Sequence, residues 1–151
     1  WTKPLKPLQS QAGVGSFMSA YMDLNDVPAG ANPWLLRDVL RGEWGFSGFV
    51  VSDAFGPRNL LAQGFARDGR DAAARSLPAG LDVDMASGTY AQSLVALVKD
   101  GAVKEARVDE AVRRKLEISP IDDQPWGRFI YFADPDGNRW ALQQIVIPDL
   151  G

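Results

Sequence analysis

The chain has 151 residues, of which 46% are hydrophobic and 23% charged, with a formal net charge of −3. That length supports one domain with its own core, and the mild acidity gives no electrostatic case for binding nucleic acid or an anionic membrane surface. Cysteine and histidine are both absent, which excludes disulfides, thiolate nucleophiles, Ser-His-Asp triads, imidazole bases and the usual zinc sites. No apolar run reaches membrane-spanning length and no signal peptide is visible, so a soluble chain is expected, its compartment left open. A first residue other than methionine, Trp1, suggests processing or trimming.

Residues 1–12 combine two prolines and two lysines with little periodicity and read as an extended arm. Val14 to Tyr21 reads as a short strand entered through Gly13 and Gly15, followed by a polar loop from Met22 to Ala31. Asn32 is placed to cap a helix with Pro33 at its first position, and Leu36, Val39 and Leu40 recur at helical spacing. Gly42 and Gly45 end that helix. The run Gly48-Phe49-Val50-Val51-Ser52-Asp53 then reads as a parallel strand buried on both faces, which puts Asp53 at its carboxyl end. In α/β sheets and barrels that edge binds ligands, so Asp53 is a candidate catalytic or substrate-binding carboxylate. For an isolated aspartate a helix cap or loop anchor is the commoner role.

Further along, Arg58 to Ala66 and Asp68 to Leu77 read as a helical segment broken near Gly64 and capped anew by Asp68, with Pro78-Ala79-Gly80 as its stop. Leu81 to Met85 reads as a third strand. Thr89 to Asp100 is helical, with Tyr90, Leu94, Leu97 and Val98 on one stripe and Gly101 beyond as cap. A last helix from about Lys104 to Glu117 carries Val108, Ala111, Val112 and Leu116 on its apolar face. Its arginines, interleaved with Asp109 and Glu110, read as a solvated face with i,i+4 pairing. Trp34 and Trp44 flank the first helix and read most simply as core.

The motifs Ser16-Phe17-Met18-Ser19-Ala20-Tyr21, Asn32 to Phe46, Gly48 to Asp53, Ala79-Gly80-Leu81-Asp82-Val83-Asp84-Met85 and Glu105 to Arg114 stand in an order that resembles the glycoside hydrolase family 3 β-glucosidases. The resemblance spans about residues 13 to 116. It implies the last part of a (β/α)8 barrel, whose complete form takes ~250 residues. It also implies hydrolysis of β-glycosides with Asp53 as nucleophile, Met18 and Tyr21 in the substrate pocket, and no cofactor or metal. The chain departs from the family at Ala54, where an aromatic is usual, at Met22 in place of asparagine, and at Asp26 in place of glycine. The family's acid/base usually lies in a following domain, so a substitute acid has to come from Asp23, Asp82, Asp84 or a neighbouring chain. Asp82 and Asp84 alternate along one strand and are poor partners for each other, which gives them a structural reading.

At Ser119-Pro120 the character changes. Two alternating runs flank Asp134-Pro135-Asp136-Gly137-Asn138, a strong hairpin signal. This tail, about residues 122 to 148, is similar to the closing hairpin of the vicinal oxygen chelate superfamily, the glyoxalase and bleomycin-resistance fold. Ala141 stands where that family places a metal ligand, so no metal site is expected, and Asp134 and Asp136 read as turn residues.

The expected architecture is α/β: a partial (βα) barrel-like open sheet of about three parallel strands with helices, plus a C-terminal antiparallel β-hairpin. It divides into an arm at 1–12, the barrel-like segment at 13–118 and the tail at 119–151, packed as one domain. Three βα units cannot close a barrel, so the sheet edges invite the hairpin or a second copy, and a homo-oligomer is expected. The functional expectation is β-glycoside hydrolysis. Its alternatives are a noncatalytic recombined fragment that folds and self-associates, and, more weakly, a small-molecule binder of the chelate type.

Overall fold

The computed structural model describes residues 13–114, 122–125, 127–133 and 139–144. The expected arm, the end of the last helix and the turn at 134–138 lie outside the described residues. The chain forms two compact units, residues 1–114 and 115–151.

In the first unit, β1 (Ser16–Ser19) leads into a small antiparallel pair, β2 (Asp23–Leu24) and β3 (Val27–Pro28). The stretch read as an open polar loop is therefore a hairpin. Asn25 and Asp26 both adopt positive φ, 55° and 60°, as a two-residue turn between antiparallel strands requires. Asn32 anchors it from outside: its Nδ2 donates to Leu24 O at 3.1 Å while its Oδ1 accepts from Leu35 N at 3.1 Å, the expected cap. The helix that follows, Trp34–Glu43, is a π-helix rather than the ordinary α-helix its spacing suggested, with Trp44 N donating to Val39 O, five residues back. Leu36, Val39 and Leu40 are its buried face. Trp34, expected in the core, is 46% exposed, whereas Trp44 packs against the core.

Strand β4 (Phe49–Ser52) pairs in parallel with β1, Ser16 beside Phe49 through Ser19 beside Ser52. Helices α1 (Gly56–Ala62), α2 (Gly69–Ala79), α3 (Thr89–Lys99) and α4 (Glu105–Val112) follow. Asp68 caps α2 by accepting from Asp71 N at 2.7 Å, and Gly80 ends it at φ 119°, where a Cβ would lie 2.9 Å from Leu36 Cβ. One face of the pair turns into the core. Val50, Leu77, Leu81 and Leu97 are each at most 1% exposed, and Phe17 packs against them. The other face is open, with Met18 60% exposed and Val83 36% exposed. The expected burial of the strand on both faces is met on the helix side alone.

The third strand expected from Leu81 to Met85 is reduced to a single parallel bridge, Val51 beside Val83. Its neighbours are still tied to β4: Asp82 N and Val83 N both donate to Val50 O, and Val83 O accepts from Ser52 N at 2.9 Å. A regular ladder fails because the Asp82 side chain takes the place of a backbone acceptor. Its Oδ2 receives Val50 N at 2.9 Å and Arg41 Nη2 at 2.5 Å, and its Oδ1 receives Arg107 Nη2 at 2.8 Å. The arginines of α4 thus divide. Arg113 pairs with Asp109 at the expected i,i+4 spacing on an exposed face, whereas Arg114, though paired with Glu110, also lies 3.6 Å from Asp82, and Arg107 is 7% exposed and points to the core.

The second unit is a three-stranded antiparallel sheet of its own, β5 (Asp122–Gln124), β6 (Gly127–Ala133) and β7 (Arg139–Gln144), in that order. The antiparallel pairing of the tail follows the sequence reading, with Tyr131 beside Ala141 and Phe132 beside Trp140. Within this unit β5 also pairs with β6, Asp122 lying beside Phe129. Asp122 accepts from the Tyr131 hydroxyl at 3.4 Å, and Arg128 pairs with Asp123 at 2.8 Å.

The entry to β4 sets a sharp steric limit. A Cβ on Gly48 would sit 2.1 Å from Gly15 O, a backbone atom that cannot give way as a side chain can. Gly48→Ala is expected to lower stability by roughly 1–3 kcal/mol in urea denaturation, as overpacking does; an unchanged midpoint would show that β1 and β4 shift apart freely.

Candidate active site

Asp53 follows the last residue of β4 directly, ahead of a tight turn in which Gly56 N donates to Asp53 O at 2.9 Å and α1 begins. Gly56 lies against the strand end, where a Cβ would meet Ser52 Cβ at 2.6 Å. The turn is held from the third segment, by Phe55 N on Met85 O at 2.8 Å and Met85 N on Ser52 Oγ at 2.9 Å. Phe55 itself adopts φ 62° and is 52% exposed. A bulky residue held in the left-handed region signals a constrained turn.

The Asp53 carboxylate is oriented by Oδ1, which accepts from Ala54 N at 2.7 Å. Tyr21 reaches the same turn from the end of β1, its hydroxyl donating to Ala54 O at 2.5 Å. Partial desolvation and the charge of nearby Asp53 raise the Tyr21 phenol above its ordinary value. Gln63, just beyond α1, donates to Tyr21 O at 2.6 Å and to Asp23 Oδ1 at 3.3 Å. Asp53, Tyr21, Asn59 and Gln63 line one narrow cleft with room for about one water. An open depression of about 770 Å³ adjoins it across Tyr21 and Asn59, walled by Phe55, Arg58 and Leu61.

Two of the three residues picked from the sequence, Asp53 and Tyr21, are thus brought together. Met18 is not in either lining. It lies beside Val51 and, by strand alternation, on the same sheet face as Asp53, two residues below it. Of the acids named as substitutes, Asp82 has a fully buried side chain locked by arginines, and Asp84 caps the approach to α3 by accepting from Ser87 N and Tyr90 N. Asp23 is linked to the site through Gln63. Asn59 and Gln63 escaped the sequence reading, although their i,i+4 spacing after Asp53 places them on one helical face toward the strand end. Among the described residues no cluster of acidic side chains is arranged to hold a metal, and no helix is long and apolar enough to cross a membrane.

A parallel strand that ends in a carboxylate, with the next helix starting behind it, places that side chain at the edge where α/β sheets and barrels bind ligands. The chain belongs to glycosyl hydrolase family 3: the model of that family's N-terminal domain matches residues 2–118. It is 44% identical over 107 residues to a periplasmic β-glucosidase of Salmonella typhimurium, covering 71% of this chain and 14% of that protein. It is 37% identical to a β-xylosidase of Formosa agariphila, over 81% of this chain and 18% of the relative. Among solved structures, a β-glucosidase from Listeria innocua in complex with glucose superposes with a TM-score of 0.68 at 39% identity, over 69% of this chain and 14% of that one. The chain therefore spans about one seventh of the length of these β-glucosidases.

If the Asp53 charge contributes to raising the Tyr21 phenol, Asp53→Asn lowers its midpoint toward the ordinary value and leaves the part due to desolvation. Carbon-13 NMR of labelled tyrosine measures this, with Tyr90, buried and pushed far higher, as internal contrast. An unmoved Tyr21 midpoint would separate the two groups.

Proposed function

We propose that this chain supplies the attacking half of a retaining β-glycosidase. Asp53, fixed at the strand end by Ala54 N and flanked by Tyr21, is the observation that carries the reading. With Oδ1 held by the amide, Oδ2 attacks the anomeric carbon as the bond to the leaving oxygen breaks. The glycosyl ester so formed is then hydrolysed by water. Tyr21, whose hydroxyl donates to Ala54 O, braces the turn that carries Asp53 and borders the sugar, and Met18 stands on the same sheet face as Asp53, two residues below it. The proton for the leaving oxygen comes from a carboxylic acid set about 5–5.5 Å from the nucleophile in retaining enzymes. Asp23, joined to Tyr21 through Gln63, and an acid on a neighbouring chain are the two sources the reading allows. β-Glucosides and β-xylosides are the substrates to try first, since both kinds of enzyme are among the relatives.

A substrate whose leaving group needs no proton isolates the role of Asp53. Hydrolysis of 2,4-dinitrophenyl β-glucoside is expected to fall on the order of 10³-fold or more in Asp53→Ala. Equal rates in the two proteins would overturn the assignment.

A second reading, a noncatalytic chain that associates with a second copy, is favoured by the open sheet face, where Met18, Val83 and Met85 are 60%, 36% and 39% exposed. Parallel sheets ordinarily bury both faces. On this reading sedimentation gives a dimer or larger species that Met18→Lys with Val83→Lys reduces to the monomer; a wild-type monomer would sink it. The likeness of the tail to the chelate superfamily remains part of the proposal, supported by the antiparallel pairing of β6 and β7.

A further inference from the structure

Among the described residues, the largest group of buried charge lies away from Asp53, at Asp82. Its side chain is fully buried, yet it meets three arginines, Arg41 and Arg107 through hydrogen bonds and Arg114 at 3.6 Å. Such a group is costly to bury, and a strand-to-helix connection needs no carboxylate at this place. What distinguishes it is a fourth partner, the backbone N–H of Val50 in the middle of β4. An aspartate side chain that replaces a main-chain acceptor sets the spacing between strands by its own length and by whatever grips its other oxygen.

That grip is anchored from two further directions. Arg41 extends from the π-helix and donates to Gly48 O at 2.9 Å as well as to Asp82. Arg107 extends from α4 and donates to Leu77 O, at the end of α2, at 2.8 Å. Three helices are thereby referred to one carboxylate, and the carboxylate to β4. Above Val50, the bonds from Ser52 N to Val83 O and from Phe55 N to Met85 O continue the same junction on either side of Asp53.

We propose that Asp82 is a positioning residue: by standing in for a main-chain acceptor at Val50, it fixes how β4 sits against the segment from Val83 to Met85, and so holds Asp53 in place beside Tyr21. The proposal takes Asp53 to be the attacking carboxylate, but its test does not depend on turnover. Loss of a purely structural ion cluster weakens the whole unit alike. Loss of a positioning contact opens one junction first.

Amide hydrogen exchange near neutral pH separates the two. In Asp82→Asn, protection at Ser52 and Phe55 is expected to fall roughly tenfold or more relative to amides of α3 such as that of Leu97. Asp82→Glu keeps the charge that neutralises the arginines but not the length. It carries the same expectation in a smaller degree, and serves if the asparagine variant fails to fold. Uniform loss across β4 and α3, or no change, in the folded variant would overturn the proposal. Selective loss in a protein without any Asp53-dependent hydrolysis would sink the hydrolase reading and leave Asp82 in its role.

Discussion

The described part of the first unit depends on a buried imbalance of charge. Asp82 alone, with Glu110 at the rim, faces Arg41, Arg107 and Arg114, and the arginines are themselves largely buried, with side chains 10%, 8% and 14% exposed. Burial pulls the Arg41 guanidinium down to about 10 against the opposing pull of Asp82, so it remains charged at neutral pH. Arginine suits such a place because its planar fork can hold a carboxylate and carbonyl groups at once. Arg41 does so with Asp82 and Gly48 O, and Arg107 with Asp82 and Leu77 O. Removing one member of a buried ion group typically costs about 3–5 kcal/mol, because the charge left behind has nowhere to turn.

The turn that carries Asp53 continues from that junction. The core beneath is ordinary, with Val50, Leu77, Leu81 and Leu97 closed off from solvent. Above it the chain leaves the sheet at Ser52, is caught by Met85 through Ser52 Oγ and Phe55 N, and presents Asp53 between those two ties. Tyr21 arrives independently from β1, which is why the parallel register of β1 and β4 matters to the chemistry: a slip of one residue would turn Asp53 to the opposite face. The strained Phe55 belongs to the same arrangement, since positive φ is what lets α1 start so soon behind the carboxylate.

Much of this was legible in the sequence because it rests on local signals. The strand ending in Asp53, the Asn32 and Asp68 caps, the break near Gly64 and the α3 stripe with Tyr90 and Leu97 each follow from residue types at fixed spacing. The losses have a common cause in long-range pairing. Asp82 alternated with apolar residues and so read as a strand position, although its side chain occupies the ladder itself. Arg107 sat in a charged run and read as solvated, because nothing local shows that an acid from residue 82 waits beneath it. The turn at Asn25 and Asp26 was legible in principle, since these residue types tolerate positive φ, but two-residue strands leave little alternation to mark its flanks. The site was half visible: motifs carried Asp53 and Tyr21, whereas Asn59 and Gln63 became partners only once α1 was folded behind them.

On the proposed mechanism, the Asp53 oxygen not held by Ala54 N attacks the anomeric carbon. A 2-deoxy-2-fluoro-β-glucoside with a good leaving group slows the second step of such a reaction and traps the ester formed in the first. Intact-protein mass spectrometry after incubation is expected to show one added fluoroglycosyl group, located by peptide sequencing on Asp53. Absence of the adduct, or its attachment to any other carboxylate, would contradict the account.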